Sequence, residues 1–509
     1  MELFFIFALS SVAILWLFYR WSDRRIIQFA SKVGSYKSQV ILGFGAIETP
    51  ATLLRNSIKN CRKLGHNYLT YVGPFPHFFT SDPETIKCIL TSKLTRSKPK
   101  LSYSGFRHAL GNGLLTMTDK EWQPHRKLLD VAFKFSKVVE FVPIFNNKIS
   151  RLFEELDTCH VMENSHEILV FCREYMMTIT GETMLGRDLD KSPTFDVKYC
   201  AQRVTRALEY ISEIMFNILY LIMYFTNIKF IIKLADIMVL KEKRKILDFF
   251  RNQIDETYNH YSKGTQNDIE YLENSDKAIA RYFHEIIKNN IIKKDLAITS
   301  MMHIFAASFE STSSTLYKTM LMLAIHPEYQ EKVYAEICKM FPANDGGEFQ
   351  VTYEHVTQLT YLDMFIKETM RIFATIPMFG RLAVGGDLTL SNGIVIPEGL
   401  EMGIDVYNLH RNKDVWGSEA DTFNPDNFLP SNVEKRHPYA YVPFAKGLRN
   451  CIGMRFAEVT LRVAMAKLIK RYKFSTTAKI EDFVLFNRIS LDFDDHPPLT
   501  IEQRSKLSN

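Results

Sequence analysis

The spacing of apolar and polar positions predicts a mainly α-helical protein with a minor β region. The longest helical pattern covers about residues 295–325, and Pro327 is placed to start the next helix. A last clear helix is predicted over about residues 454–472. Short strand-like stretches occur at 68–72 and 77–80, and Gly and Pro return after residue 373, where more short strands are expected.

The amino terminus carries a different pattern. Leu3 to Tyr19 is almost wholly apolar, and arginines follow it directly. Because no small-residue cleavage site precedes the charges, a retained transmembrane anchor helix is favoured over a removed signal peptide. We therefore predict an anchor at residues 1–20, a linker at 21–50 and one folded domain over 51–509. The positive-inside rule places the folded domain in the cytosol.

A second apolar run extends from Ile214 to Phe225. Twelve residues are too few to cross a bilayer as a helix. The run is either part of a buried helix or a patch that dips into the membrane.

Composition narrows the class of protein to which the chain can belong. With 46% hydrophobic and 24% charged residues, the chain can fill a large core in one unit. The seven cysteines are scattered and show no zinc or disulfide spacing, which fits a reducing compartment. The net charge of +6 is dispersed, so nucleic-acid binding is not indicated, and a basic face for an acidic protein partner is the better interpretation.

The most informative stretch opens the last helix and reads Phe444-Ala-Lys-Gly447-Leu-Arg449-Asn-Cys451-Ile-Gly453. It resembles the haem-binding loop of the cytochrome P450 family, whose pattern FxxGxRxCxG is matched at every fixed position. The resemblance implies haem b with Cys451 as the axial thiolate of the metal, a soft anionic ligand suited to O–O cleavage. A helix start favours the thiolate. The other cofactor-binding positions of the loop are Phe444, Gly447, Arg449 and Gly453.

Two further motifs extend the resemblance. Trp122 and Arg126 match the family's WxxxR, and Arg381 lies where the family places another arginine that binds a haem propionate. Both residues of the WxxxR pair lie on one helix face and are also expected at a propionate.

Glu368 and Arg371 match the ExxR element and should form an internal ion pair behind the cysteine loop. The family completes this network with a later arginine, but here the matching residue is Asn427, which carries no charge. Arg436 is a candidate substitute.

The central helix carries the sequence from Ala307 to Thr312, which is similar to the family's oxygen-activation element. The resemblance implies that Glu310 relays protons with the alcohols Ser311 and Thr312. Ser308 replaces the usual Gly. The alternative for Ser308 and Ser311 is hydrogen bonding back to helix carbonyls. Some relatives esterify haem through a Glu at the position of Ala307, so a non-covalent haem is expected here.

The loop is most similar to insect microsomal members near family four. This implies the cytochrome P450 fold, an endoplasmic reticulum location, and insertion of one oxygen atom from O2 into a fatty acid, a terpenoid hormone or a foreign compound. Electrons would come from NADPH through cytochrome P450 reductase, with cytochrome b5 as a possible second partner. The rival functions are a haem-thiolate isomerase or dehydratase, and a haem protein that binds a hydrophobic ligand without turnover.

Two sets of residues follow from family position. The expected docking cations for the reductase are Lys127, Lys134, Lys446 and Arg455. The expected pocket residues, for each of which a core role is equally open, are Phe106, Leu114, Phe305, Phe309 and Met378.

Overall fold

The computed structural model describes residues 23–46, 49–159, 161–191, 196–215, 248, 251–252, 254–259, 278–342 and 349–504. The predicted anchor at 1–20 lies outside these ranges, as does most of the second apolar run, residues 216–225. Within the described ranges, no helix combines the length and the apolar character that crossing a bilayer requires.

Helices form most of the described chain. Those of its first half are α1 (Arg24–Ala30), α2 (Lys37–Leu42), α3 (Pro50–Leu64), α4 (Pro83–Thr91), α5 (Ser104–Leu110), α6 (Asp119–Leu129), α7 (Phe135–Glu140), α8 (Val142–Leu156), α9 (His166–Thr180) and α10 (Val197–Met215). Those of its second half are α11 (Ile279–Lys288), α12 (Lys294–Ile325), α13 (Pro327–Met340), α14 (Tyr353–Gln358), α15 (Thr360–Ile372), α16 (Val406–Leu409), α17 (Lys413–Trp416), α18 (Pro430–Lys435) and α19 (Met454–Arg471).

The strands are short and form four sheets in the described chain. They are β1 (Gly34–Ser35), β2 (Asn67–Val72), β3 (Phe75–Thr80), β4 (Val161–Met162), β5 (Met378–Leu382), β6 (Leu388–Thr389), β7 (Val395–Ile396), β8 (Glu401–Asp405), β9 (Tyr472–Ser475), β10 (Leu485–Asn487), β11 (Leu491–Phe493) and β12 (Leu499–Gln503). The largest sheet has the order β1-β2-β3-β8-β5, with β3 and β8 parallel and β5 and β8 antiparallel. The others pair β4-β12-β9, β10-β11 and β6-β7.

The mainly helical fold with a minor β region is confirmed, and the long helices begin and end close to their predicted limits. Local chemistry explains several starts. Pro327 occupies the first position of α13, and the Asp82 carboxylate accepts a hydrogen bond from the Thr85 amide at 2.8 Å to cap α4.

The segment predicted as a linker, residues 21–50, differs from expectation. Strand β1 pairs with β2 in parallel, and Phe29 and Ala30 are buried in a cluster with residues of the largest sheet. The low Gly and Pro content of this segment allows short helices and burial of its apolar side chains. Part of the segment is therefore folded onto the domain.

Helix α12 passes through the largest hydrophobic core, where it packs against α9, α15 and α19. Residues Thr312 to Ala324 are buried on every face of the helix. One turn differs, because Ala307 is exposed and Ser308 and Ser311 keep accessible surface although the neighbouring turns are buried. The middle of α12 therefore faces a space inside the protein.

Candidate functional site

The cysteine loop precedes α19 and has an unusual backbone. Ala445 has φ 55° and Gly447 has φ 76°, both in the left-handed region. A Cβ at Gly447 would lie 2.1 Å from the Leu90 carbonyl oxygen, so only glycine fits there. The Cys451 amide closes the loop with a 2.9 Å hydrogen bond to the Phe444 carbonyl. At Gly453, by contrast, an added Cβ would meet no protein atom within 4 Å.

Cys451 lies inside the protein and still has accessible surface. Burial raises the pKa of its thiol, and this is partly offset by a hydrogen bond that the Gly453 amide donates to the sulfur and by the charge of Arg126. The side chain is nevertheless exposed. A group that is surrounded by protein yet accessible lines an internal space. A metal ion in that space would favour the thiolate, because its positive charge offsets the desolvation.

The predicted WxxxR pair contacts this loop. The Arg126 guanidinium donates to the Asn450 carbonyl at 2.6 Å and to Asp130 at 2.6 Å. Trp122 is buried, and the Arg449 guanidinium lies 4.9 Å from the centre of its ring. In the structure, Arg126 therefore holds Asn450, the residue before Cys451, in place. Contact with a propionate stays a prediction for both Trp122 and Arg126.

Three cations lie near the loop, and none of them forms an ion pair or hydrogen bond with a carboxylate among the described residues, although the Asp119 carboxylate, which pairs with Arg96, also acts on Arg449 through its charge. Burial lowers the pKa of Arg381 to about 10 and that of Arg449 to about 9, and the pKa of Lys98 falls well below its usual value by burial and by both arginine charges. Their donors reach only neutral oxygens, namely the carbonyls of Gly380, Arg449, Arg96, Leu114 and Met117, and the Tyr103 hydroxyl.

Like charges in a low-dielectric interior repel one another unless an anion joins them. The two carboxylates of haem would supply such an anion, and a cysteine that lines the same interior would supply a soft metal ligand. The residues present therefore fit haem. Sequence reasoning missed Lys98, because a single lysine among 63 Lys and Arg carries no local signal.

The ExxR pair is completely buried. Both oxygens of Glu368 accept from Arg371 at 2.7 Å, and each side chain has 0% exposure. The remaining Arg371 donors reach backbone carbonyls of His410, Ala420 and Thr422. Such bidentate pairs are the strong kind of ion pair.

Asn427 completes this network, because its amide donates to Glu368 at 3.1 Å. The suggested substitute, Arg436, does not bond to Glu368 among the described residues: its guanidinium stacks on the Trp416 ring at 3.8 Å, and the Glu368 carboxylate acts on it only through its charge. A neutral donor at position 427 is enough to complete the network, because the backbone amide of Asn424 also donates to the Glu368 carboxylate at 2.7 Å.

The central helix departs from the expected acid and alcohol relay. The Glu310 carboxylate accepts from Arg173 at 3.1 and 3.2 Å and from the Ser490 hydroxyl at 2.8 Å. Neither Ser311 nor Thr312 donates to it. Among the described residues the acid therefore bonds to α9 and to the turn between β10 and β11, and a proton-relay role for Glu310, Ser311 and Thr312 stays a prediction.

The serine hydroxyls follow the alternative considered above. Ser311 donates to the Ala307 carbonyl at 2.7 Å, and Ser308 donates to the Phe305 carbonyl at 3.0 Å. Thr312 is buried. No local pattern points to Arg173 or Ser490, because both are distant from the motif along the chain.

The residues expected in the pocket and at the docking face differ in their exposure. Phe309 is 0% exposed and takes the core role that was left open for it, and Leu114 and Phe305 are buried as well. Phe106 and Met378 keep accessible surface. Of the docking cations, Lys127, Lys134 and Arg455 are exposed. Lys446 is half-buried and donates to the Pro438 carbonyl.

Comparison with known proteins agrees with this site. The model of the family described as Cytochrome P450 matches residues 42–489. The chain is 31% identical to probable cytochrome P450 313a4 of Drosophila melanogaster over 97% of this chain and 98% of that protein. It is 27% identical to cytochrome P450 4c3 of the same organism, over 96% of this chain and 92% of that protein.

The relatives confirm the expected likeness to insect members, including family four, although the 313 protein is the more similar of these two. Family members bind haem through a cysteine thiolate and are generally monooxygenases. The family model covers the cysteine loop, the ExxR pair and the central helix. The chain therefore belongs to the cytochrome P450 family of haem-thiolate monooxygenases.

Proposed function

We propose that this protein inserts one oxygen atom from O2 into a hydrophobic substrate, with electrons passed from NADPH by a flavoprotein reductase. The observation that carries the proposal is the surroundings of the cysteine loop, where the Cys451 side chain is accessible and the cations Lys98, Arg381 and Arg449 lie near one another without an ion pair to a carboxylate among the described residues. When bound there, haem supplies the binding and activation of O2. Phe106 and Met378 keep accessible surface, and their apolar side chains suit the lining of a pocket for a hydrophobic substrate.

A non-covalent haem is part of the proposal. Ala307 is exposed on the accessible turn of α12, and its methyl group offers no carboxylate for an ester. Extraction with acidic organic solvent should remove the haem intact. Haem that stays on the polypeptide would contradict this point.

Proton supply is assigned to the accessible turn of α12. The Ser311 hydroxyl lies on this turn, and its hydrogen bond to the Ala307 carbonyl holds it there. A hydroxyl can pass a proton from water to a neighbouring acceptor. Replacing Ser311 with Ala should divert electrons from product to peroxide, measured as peroxide released per NADPH consumed. Ser313→Ala, which changes a buried serine of the same helix whose hydroxyl bonds to carbonyls of that helix, is the matched control.

Reductase docking is proposed at a basic face that borders the cysteine loop. Lys134 and Arg455 are exposed there, and the Arg455 guanidinium lies 5.7 Å from the centre of the exposed Phe135 ring. A mixed basic and apolar surface suits an acidic partner. Glu substitutions at both cations should slow reduction more at low salt than at high salt. A change that is independent of salt would count against docking here.

The membrane location is proposed from residues 1–20 alone. Their apolar run followed by arginines is typical of a retained anchor with a cytosolic domain. The full chain expressed in insect cells should remain with endoplasmic reticulum membranes after alkaline carbonate washing. A chain without residues 1–20 should bind them less firmly, and equal retention would contradict the anchor.

The decisive assay is NADPH-dependent O2 uptake by the reconstituted protein and reductase. Stimulation by a hydrophobic compound, with formation of its hydroxylated product, supports the proposal. Conversion without NADPH would indicate an isomerase or dehydratase instead, and binding without turnover would indicate a ligand carrier. Screening fatty acids, terpenoids and foreign compounds for a shift of the haem Soret band would identify the substrate class.

A further inference from the structure

The acid of the central helix, Glu310, has partners that its motif does not predict. Glu310 on α12 is bound by Arg173 on α9 and by Ser490, which lies in the turn between β10 and β11. The side chains of the ion pair are 12% and 7% exposed, respectively. One carboxylate oxygen accepts from both partners and the other accepts from Arg173, so both oxygens are engaged.

A buried, bidentate ion pair is well suited to holding two segments of a protein in one relative position. In a low-dielectric interior its hydrogen bonds strengthen one another, and opening it exposes two charges to poor solvation. The pair joins two helices, and the Ser490 hydroxyl attaches a third element to it. Glu310 is therefore placed to hold the turn.

The same turn is held from other sides. The Leu491 amide donates to the Thr375 carbonyl at 2.9 Å, and the buried Lys318 ammonium on α12 donates to the Leu491 carbonyl. Arg488, at the start of the turn, forms an ion pair with Glu209 on α10. The turn thus connects α10, α12 and the segment that follows α15.

The turn also lies beside the internal space. Glu310 is within the one turn of α12 that contains the accessible residues Ala307 and Ser311. Ile489, which precedes Ser490, and Ile376, which follows Thr375, both keep accessible surface. A displacement of the turn would therefore change the wall of that space.

We propose that Glu310 and Arg173 are positioning residues that fasten the Arg488–Leu491 turn through Ser490, and that this fastening sets which substrates fit. The acid then acts through the position of the turn and does not transfer the proton itself. The proposal rests on the proposed function only in treating the internal space as a substrate pocket.

The first test measures pocket shape without turnover. The haem-loaded protein is titrated with 1-methylimidazole and 1-octylimidazole, which share an iron-binding ring and differ in chain length. Ser490→Ala and Glu310→Gln should each change the ratio of the two dissociation constants at least fivefold. Combining them should add little to either, because both break one connection.

Matched variants separate positioning from general damage. Ser490→Thr keeps the hydroxyl and should restore the wild-type ratio. Ser313→Ala removes a buried serine of α12 whose hydroxyl bonds only to the Phe309 and Glu310 carbonyls, and it should leave the ratio unchanged. An unchanged ratio in both Ser490→Ala and Glu310→Gln would overturn the proposal.

The second test addresses proton transfer. The rate of reductase-driven NADPH oxidation is compared in H2O and D2O for wild type and Glu310→Gln. The proposal expects equal solvent isotope effects, whereas a larger effect with more peroxide release would assign Glu310 to proton delivery and overturn it. A protein that discriminates between the two imidazoles but oxidises nothing would contradict the proposed function and still support this inference.

Discussion

The two sides of the internal space are built differently. On the side of the cysteine loop, residues 444–453, the backbone and the side chains are fixed by contacts within the protein, such as Arg126 with Asn450 and Cys451 with Phe444. On the side of the α12 turn, residues 306–312, the serine hydroxyls bond to carbonyls of their own helix, Ser308 also contacts the Thr180 hydroxyl of α9, and the acid faces away. The conformation of the cysteine loop is thus set by contacts within the protein. The opposite side is shaped by its packing against α9 and the β10–β11 turn.

The largest effect should come from breaking the support behind the cysteine loop. Glu368→Gln removes the anionic partner of Arg371 at a site with 0% exposure. Loss of one partner of a buried pair costs about 3–5 kcal/mol. We expect the free energy of unfolding in urea to fall by that amount. Glu419→Gln, at an exposed acid, is the control, and equal stability of the two variants would contradict the proposed support.

The next effect concerns the cations that face the cysteine side. Lys98→Met should speed haem loss to apomyoglobin about 10–100-fold, because a hydrogen bond to a charged group contributes about 1.5–3 kcal/mol. Lys100→Met, at an exposed lysine two residues further on, should leave haem loss unchanged. Equal rates in the two variants would show that Lys98 does not contact the cofactor.

Acid should lower the free energy of unfolding through two buried histidines on the α12 side. Burial lowers the pKa of His125 and of His303 to about 4, while an unfolded imidazole titrates near pH 6.5. Between these values the unfolded chain binds protons that the folded chain does not. Stability is therefore complete above about pH 6.5 and is lost as the pH falls toward 4, by about 1–3 kcal/mol per imidazole.

Urea unfolding at pH 7 and pH 5 measures this loss. His303→Gln should reduce the difference between the two pH values, and adding His125→Gln should reduce it further. A pH dependence that is the same in wild type and the double variant would place the titrating groups elsewhere.

The smallest effect sharpens the picture of the cysteine side. Asn427→Ala removes one donor to Glu368 and should lower the free energy of unfolding by about 1 kcal/mol. Asn427→Asp should cost more, because it sets a second carboxylate beside the first. If the two variants were equally stable, the Asn427 amide would not be part of the network.

The sequence predicted best those features that local patterns encode. The limits of α12, α13 and α19 followed from apolar spacing and from Pro327, and the cysteine loop followed from five fixed positions in one short stretch. The Glu368–Arg371 pair was predictable because both residues lie on one helix face. Family resemblance added the haem.

What the sequence did not predict depends on contacts between distant segments. Arg173 meets Glu310 across 137 positions, and Ser490 meets it across 180. Lys98 joins Arg381 and Arg449 only after folding. The fold of residues 24–42 onto the sheet was missed for the same reason, since β1 has only two residues. Side-chain orientation on a helix is set by such partners, and the motif alone does not specify it.

The central claim is that Cys451 is the haem ligand, and the spectrum of the reduced carbon monoxide complex tests it most directly. Wild type and Cys88→Ala, which changes another accessible cysteine, should show the red-shifted Soret band that thiolate ligation produces. Cys451→Ala should lose that band even where haem is retained. A Cys451→Ala protein with the wild-type band would contradict the account.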